Sequence, residues 1–382
     1  MPLSSPAAGN VLNKKIVYST AIWRAAKDAS VIMSDGNGLM GAKTTDASRA
    51  VHRITELTKT TGGTACVIPV RLPLVGDGTV GDAILTGNEE AVVNDAFTIH
   101  IDQLRHGVKS AGQLAEQEAI PQLSAGYDQE LGFWRAEKVD ELAILTLSGV
   151  AYTKTLDGAT RSATSQWPVF KFASDVTAPS SNRVLYAGTA TSTATLVATD
   201  KMSWSLLLTA NARAKQRRIK PLMAKGSGPQ GYAVLMHTMQ GHDLKNDNDY
   251  KTAVSRAGQG GTKNPLFTGA FAAVDGLILF DTPKVYNTTG TSTKWGAANT
   301  VEGAQALLLG AQALGYGDIN MKDAIRKADV NDYGNQQGVG YVMQFGFLKP
   351  VIKSRFDLDS SGNFTSQDFG VISIYTAMTA AA

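Results

Sequence analysis

The apolar positions hold a helical period over one long stretch. Between Ala111 and Leu147, Leu123, Tyr127, Leu131, Trp134, Leu142 and Leu145 recur at spacings of three, four or their multiples, which puts them on one stripe of a helix. Ser110 offers an N-cap oxygen, Pro121 should kink or restart the helix, and Gly149 stands where it should end. At ~1.5 Å per residue the unbroken part is a rod of roughly 40 Å.

Elsewhere the pattern is that of strands and irregular chain. ACVIPVRLPLV, from Ala65, and AFTIHIDQLRHGV, from Ala96, are rich in Val, Ile, Thr and Phe and flank a glycine-rich, acidic centre. That arrangement predicts a long β-hairpin with its tip at Gly76 to Asp82. The first 60 or so residues mix Ser, Thr, Ala, Gly and Lys around one apolar stretch, Val17 to Met33, and predict an extended arm bearing a short helix. Residues 151–199 are dominated by Thr, Ser, Ala and Gly and predict irregular β structure or an inserted flap.

Beyond them the pattern alternates: a helix from Asp200 to Lys215, a strand YAVLMHTM, a helix from Asp243 to Arg256, a strand GLILF and a helix from Val301 to Leu314. This implies a mixed α/β or α+β unit. Two strand-like segments, YVMQFGFLKPVIKS and FGVISIYTAM, joined by a polar turn, close the chain. No fixed repeat is evident, which disfavours a solenoid or propeller.

Composition narrows the function. A chain of 382 residues is long enough for two or three packed units. Its charged fraction, 18%, is below the usual soluble average of about 25%, so part of the surface is expected to meet protein instead of water. The net charge of +3 is too small for a protein that grips nucleic acid through a dense basic face. Cys66 stands alone, which rules out an intrachain disulfide and a cysteine-type zinc site and fits a reducing compartment. MPLSSPAAGNVLNKK lacks the apolar core of a secretory signal, and no apolar run approaches the ~20 residues that cross a bilayer. No membrane association is expected.

Candidate chemistry is sparse. Gly76, Gly78 and Gly81 have the spacing of a dinucleotide loop, but no helix is signalled after them and Asp77 and Asp82 would repel phosphate; a hairpin tip is the reading. His52, His100, His106, His237 and His242 form no metalloprotease pattern, and no serine sits in GxSxG. No catalytic residue, cofactor or metal site is therefore assigned. Arg213, Lys215, Arg217, Arg218 and Lys220 follow a predicted helix whose C-terminal dipole favours cations, with no interleaved aromatics for base stacking. Asp357, Asp359, Ser361, Gly362 and Asp368 match EF-hand positions 1, 3, 5, 6 and 12, but position 12 is Asp and the flanks read as strands, so an ordinary polar hairpin is expected over a calcium loop.

From Leu74 to Gly149 the order of features resembles one family, the major capsid proteins of tailed bacteriophages. In that family a hairpin strand leads to a Gly-Asp tip, an acidic run, a strand ending in Arg-His and a long helix ending in Leu-Ser-Gly. The corresponding stretches are VGDGTVGD, GNEE, IHIDQLRHGV and LGFWRAEKVDELAILTLSG. Weaker echoes are YAVLMHTMQGHDLKND, VDGLILFDTPKV and FGVISIYTAM.

The resemblance implies an α+β, HK97-like capsid fold: an N-terminal arm (1–60), an extended hairpin or E-loop (61–108), a peripheral-domain spine helix (109–150), a mainly axial domain with a Thr/Ser-rich insertion (151–340) and C-terminal strands (341–382). It also implies a non-enzymatic protein, made in the host cytoplasm, that assembles from hexamers and pentamers into an icosahedral shell around the phage double-stranded DNA. The implied partners are further copies of itself, a separate scaffolding protein, a portal, a decoration protein and packaged DNA held non-specifically. The candidates for contact between subunits are Gly76, Asp77, Gly78, Gly81 and Asp82 at the tip, facing a basic surface such as Arg217 and Arg218. The alternative is an unrelated structural or surface protein such as an adhesin, which would need a β-dominated chain.

Overall fold

The computed structural model describes residues 32, 39–40, 48–55, 63–71, 74, 76–92, 94–109, 123–222, 231–257, 276–319, 323–327, 338–358 and 364–380. Its strands are β1 (Val51–Ile54), β2 (Ala65–Arg71), β3 (Asn94–His100), β4 (Asp102–Lys109), β5 (Val184–Tyr186), β6 (Tyr232–Met236), β7 (Leu277–Asp281), β8 (Gly303–Leu309), β9 (Leu314–Asp318), β10 (Asp323–Lys327), β11 (Gly338–Leu348), β12 (Val351–Leu358), β13 (Phe364–Asp368) and β14 (Val371–Ala377). Its helices are α1 (Leu123–Ser148), α2 (Trp204–Gln216), α3 (Thr238–Asn246) and α4 (Asn248–Ala257).

Two five-stranded sheets organise the molecule. The first runs β1-β9-β11-β10, with β4 also paired to β11. The second runs β5-β14-β8-β6-β7. Two separate ladders, β2-β3 and β12-β13, complete the strands among the described residues.

The long helix packs on one face of the first sheet. Leu131, Val139, Leu142, Ala143, Leu145 and Leu147 are buried there with Tyr341, Met343, Phe345 and Phe347 of β11, as the apolar stripe requires. Gly149 ends the helix with φ +67, a conformation that carries little penalty only for glycine. The expected cap Ser110 and break Pro121 lie outside the described residues. A second core forms where α2, α3 and α4 meet the second sheet, around Leu207, Val234, Met236, Leu244, Leu308 and Ile374.

Several expectations are corrected. The helix expected from Val301 to Leu314 is instead β8 followed by β9. GAQALLL has the composition of a helix, but all of β8 is buried and it lies between β14 and β6. A strand covered on both faces is a continuous apolar run with no period, so tertiary burial overrides the helical preference of Ala, Gln and Leu. The Asp243 to Arg256 helix begins earlier and is two helices, separated at Asp247. The strand YAVLMHTM stops at Met236, because His237 accepts the backbone N–H of Met239 and caps α3.

Residues 151–199 are irregular, one of the two expected forms, with short 3-10 turns, the strand β5 and a bridge between Lys154 and Thr160, and they bury Trp167, Phe170, Phe172 and Leu196. The C-terminal segments are four strands, β11 to β14, not two. Of the expected arm, Ile32, Leu39 and Met40 are core residues and Val51–Ile54 pairs parallel with β9, whereas Trp23 and the expected short helix lie outside the described residues.

Candidate surface for subunit contact

The hairpin is rooted on the outer face of the first sheet. On β11 the positions 339, 341, 343, 345 and 347 are buried toward α1, and their partners on β4 include Leu104, His106 and Val108. The alternate set therefore faces away from the helix. At the β9 end that outer face is floored by Gly315, Gly317 and Gly346. A Cβ there would come 2.8 Å from Ile99 Cδ1, 3.3 Å from Ile99 Cγ2 and 2.0 Å from the His100 carbonyl oxygen, respectively.

At Gly346 only glycine lets the backbone of His100 and Ile101 lie so close to the sheet, while Gly315 and Gly317 leave room for the Ile99 side chain. Ile99 and Ile101 are buried by the sheet. Two polar contacts fix the root sideways: His100 Nδ1 lies 2.7 Å from Asp175 Oδ2, and Asp102 Oδ2 accepts the Lys171 backbone N–H at 2.9 Å. A groove of about 320 Å³ remains beside the root, lined by Ile68, Val70, Phe97, Leu348 and Ile352 among others.

The two hairpin strands pair from Ala65↔His100 to Arg71↔Asn94. The ladder stops there, and β4, expected as part of the same hairpin, belongs to the first sheet instead. The tip is folded on its own carboxylates. Gly76 N–H donates to Glu90 Oε2 and Gly87 N–H to Glu89 Oε2, each at 2.6 Å, and Asn88 caps a turn on the carbonyls of Ile84 and Leu85.

Gly78 and Gly81 take positive φ, as a tight tip needs. Asp77 and Asp82 are exposed, and within a single chain neither meets Arg217 or Arg218. The tip is also apolar, a property that the hairpin pattern does not announce: Val80 is 86% exposed and Ile84 74%, with Leu85 and Val92 exposed beside them. The available signal is apolar residues in a segment with neither helical nor strand period.

The basic cluster is placed differently from the tip. Arg213 and Lys215 occupy the last turn of α2, and Arg213 Nη1 donates to the Val184 carbonyl at 2.7 Å. Arg217 Nη1 lies 2.6 Å from Asp357 Oδ1, and Arg183 Nη2 lies 3.3 Å from the other oxygen of the same buried carboxylate. Arg217 is thus engaged within its own chain, while Arg218 follows it in a left-handed turn, φ +52.

Two carboxylates of the EF-hand spacing, Asp357 and Asp368, have cation partners. Asp357 is held between two guanidiniums, Asp368 is 3.2 Å from the buried Lys349 ammonium, and β12 pairs with β13 as a hairpin. Burial pulls Lys349 and Arg183 below their ordinary pKa, and the neighbouring aspartates oppose the shift. Positions 359 to 363 lie outside the described residues.

A phage capsid protein family matches residues 16–380. The chain belongs to this family. The major capsid protein of Pseudomonas phage KPP25 is 38% identical over 395 residues, covering 99% of this chain and all of that one. Among solved structures, the capsid of Ralstonia phage GP4 is 25% identical with a TM-score of 0.70, over 89% of this chain and 90% of that one. The Cyanophage Pam1 capsid asymmetric unit is 17% identical with a TM-score of 0.67, over 87% and 89%.

The fold of this phage capsid protein is the HK97-like one, α+β in class, and its function is structural: it is a major capsid protein that associates with its own copies in a phage shell. That places the surfaces above in context. For a phage capsid protein, apolar groups left exposed on one copy are groups that neighbouring copies can cover.

Proposed function

We propose that the hairpin is the E-loop of an icosahedral head built from hexamers and pentamers around double-stranded DNA, and that Gly76 to Asp82 work between subunits. One observation carries this reading: the tip exposes Val80, Ile84 and Leu85, while Gly76 and Gly87 donate their N–H groups to Glu90 and Glu89 of the same tip. Such a segment adds nothing to its own core and gains by burial against a neighbour. A shell repeats that contact at every copy, so a modest local term is multiplied over the assembly.

The remaining assignments follow the resemblance. Residues 1–60 serve as the N-terminal arm, 109–150 as the spine helix and 151–340 mainly as the axial domain. A separate scaffolding protein, a portal and a decoration protein are the partners, the chain is made in the host cytoplasm, and it carries out no catalysis. Contact with DNA is non-specific and weak, consistent with a net charge of +3.

The test replaces residues 76–90 by a short Gly-Ser turn. The protein is expected to stay soluble, with unchanged circular dichroism, and to lose closed shells in negative-stain images. Particles of normal size and heat resistance from the shortened chain would refute a role between subunits.

A further inference from the structure

The β12–β13 hairpin carries two buried aspartates, and their cations differ in kind. Asp357 faces Arg183 and Arg217, whose guanidiniums hold their charge and are poor nucleophiles. Asp368 faces Lys349, and the two side chains of this pair are 1% and 0% exposed. Among the described residues, the Lys349 ammonium has no other anion and no other hydrogen-bond acceptor, although it carries three donors. A lone ion pair withdrawn so fully from water regains only part of its lost hydration. Burial lowers the Lys349 pKa, with Asp368 opposing the shift, so less is needed to free the nucleophilic amine than on an exposed lysine.

Lys349 Nζ is 3.2 Å from Asp368 Oδ1 and 3.2 Å from Oδ2, so it lies in the plane that bisects the carboxyl group and contains Cγ. The two oxygens are not equivalent. Oδ2 accepts the Ser180 backbone N–H at 3.1 Å, while Oδ1 is buried and, among the described residues, meets only the ammonium. The backbone fixes both ends. Val351, two residues after Lys349, pairs with Asp368, the Phe369 N–H donates to the Pro350 carbonyl at 3.0 Å, and the Asp368 N–H donates to Ser180 Oγ at 3.0 Å. Groups held in this way need little further ordering to react.

We propose that Lys349 and Asp368 of the same chain condense to an isopeptide bond, a covalent staple across the root of the β12–β13 hairpin. One ammonium proton passes to Asp368 Oδ1, leaving a neutral amine and a carboxylic acid. The amine lone pair adds to Cγ, and the Ser180 N–H receives the charge that builds on Oδ2. The Nζ–Cγ bond forms, the Cγ–Oδ1 bond breaks, and Oδ1 leaves with a second proton from Nζ as one water. No oxidant, metal or co-reactant is consumed, and each chain reacts once, without turnover. The product replaces two buried charges by one neutral amide, which removes the cost of keeping them from water. It also closes residues 349–368 into a ring, which has fewer unfolded arrangements than an open chain.

The experiment is mass spectrometry of the full-length protein, taken both unassembled and from particles and denatured before measurement. The expected mass is that of the chain less one water. Trypsin should then release residues 328–353 joined to residues 356–382, because cleavage after Lys353 and Arg355 opens the ring while the new bond holds its ends, and the Lys349–Pro350 bond resists the protease. Lys349→Arg keeps the cation and removes the amine, so it should show the full mass and give the two fragments separately. The wild-type fragments decide the matter whether or not that variant folds. The full mass in both preparations overturns the proposal, as does a missing water with the two fragments unlinked, or linked fragments from Lys349→Arg.

Discussion

The backbone of His100 lies against Gly346, so close that a Cβ at Gly346 would stand 2.0 Å from the His100 carbonyl oxygen. Backbone cannot yield as a flexible side-chain end can. Gly346→Ala should therefore lift the hairpin root off the sheet or strain β11, at a cost of roughly 1–3 kcal/mol in stability. Chemical denaturation of the unassembled protein measures it. An unchanged midpoint would show that the root does not need this seat.

Trp134 belongs to the apolar stripe of α1, but it is only partly buried and stacks on His106 of β4 with ring centroids 4.4 Å apart. Full burial would put the truncation cost at about 3–5 kcal/mol. For the half-buried ring, Trp134→Ala should cost nearer about 2 kcal/mol, and Trp134→Phe less, since a stacked ring remains. A thermal melt series of the two variants distinguishes the stack from simple area loss.

Asp357 is fully buried between Arg183 and Arg217. Removing it strands a buried guanidinium, so Asp357→Ala should destabilise the protein by roughly 3–5 kcal/mol. Arg217→Ala should cost less, because Arg183 still faces the carboxylate. A chelator should leave the stability of the wild-type protein unchanged, since cations of the protein already hold Asp357 and Asp368. Lower stability in EDTA would reopen the calcium reading.

His237 caps α3 by accepting the Met239 N–H, which only a neutral ring can do at that nitrogen. Burial lowers its pKa below the ordinary 6.5, with Asp281 and Asp157 opposing the shift. Above pH 6.5 the ring is neutral whether the chain is folded or not, so the cap is intact. As pH falls below that value the unfolded chain takes up the proton first, and stability declines until the folded ring is protonated as well. Unfolding midpoints of wild type and His237→Asn between neutral and mildly acid pH should diverge in slope, the Asn cap being insensitive to pH.

Elements whose information is local were legible in the residues alone. The α1 stripe from Leu131 to Leu147 and the stop at Gly149 follow from period and from φ, and of the expected tip the turn at Gly81 and Asp82 follows from glycine. The order of those features also carried the family resemblance. What depends on covering both faces of an element was settled by long-range packing. GAQALLL became β8 because β14 and β6 flank it and its whole length is buried, a fact absent from its own composition. In the same way, nothing adjacent to Arg217 in the chain announces that Asp357 will neutralise it, and Gly346 shows its purpose only when His100, far away in sequence, is laid across it. Spacing along a chain records which residues share a face; which surface that face meets is set by contacts between distant segments, and the open ends of that packing are what a shell protein offers to its neighbours.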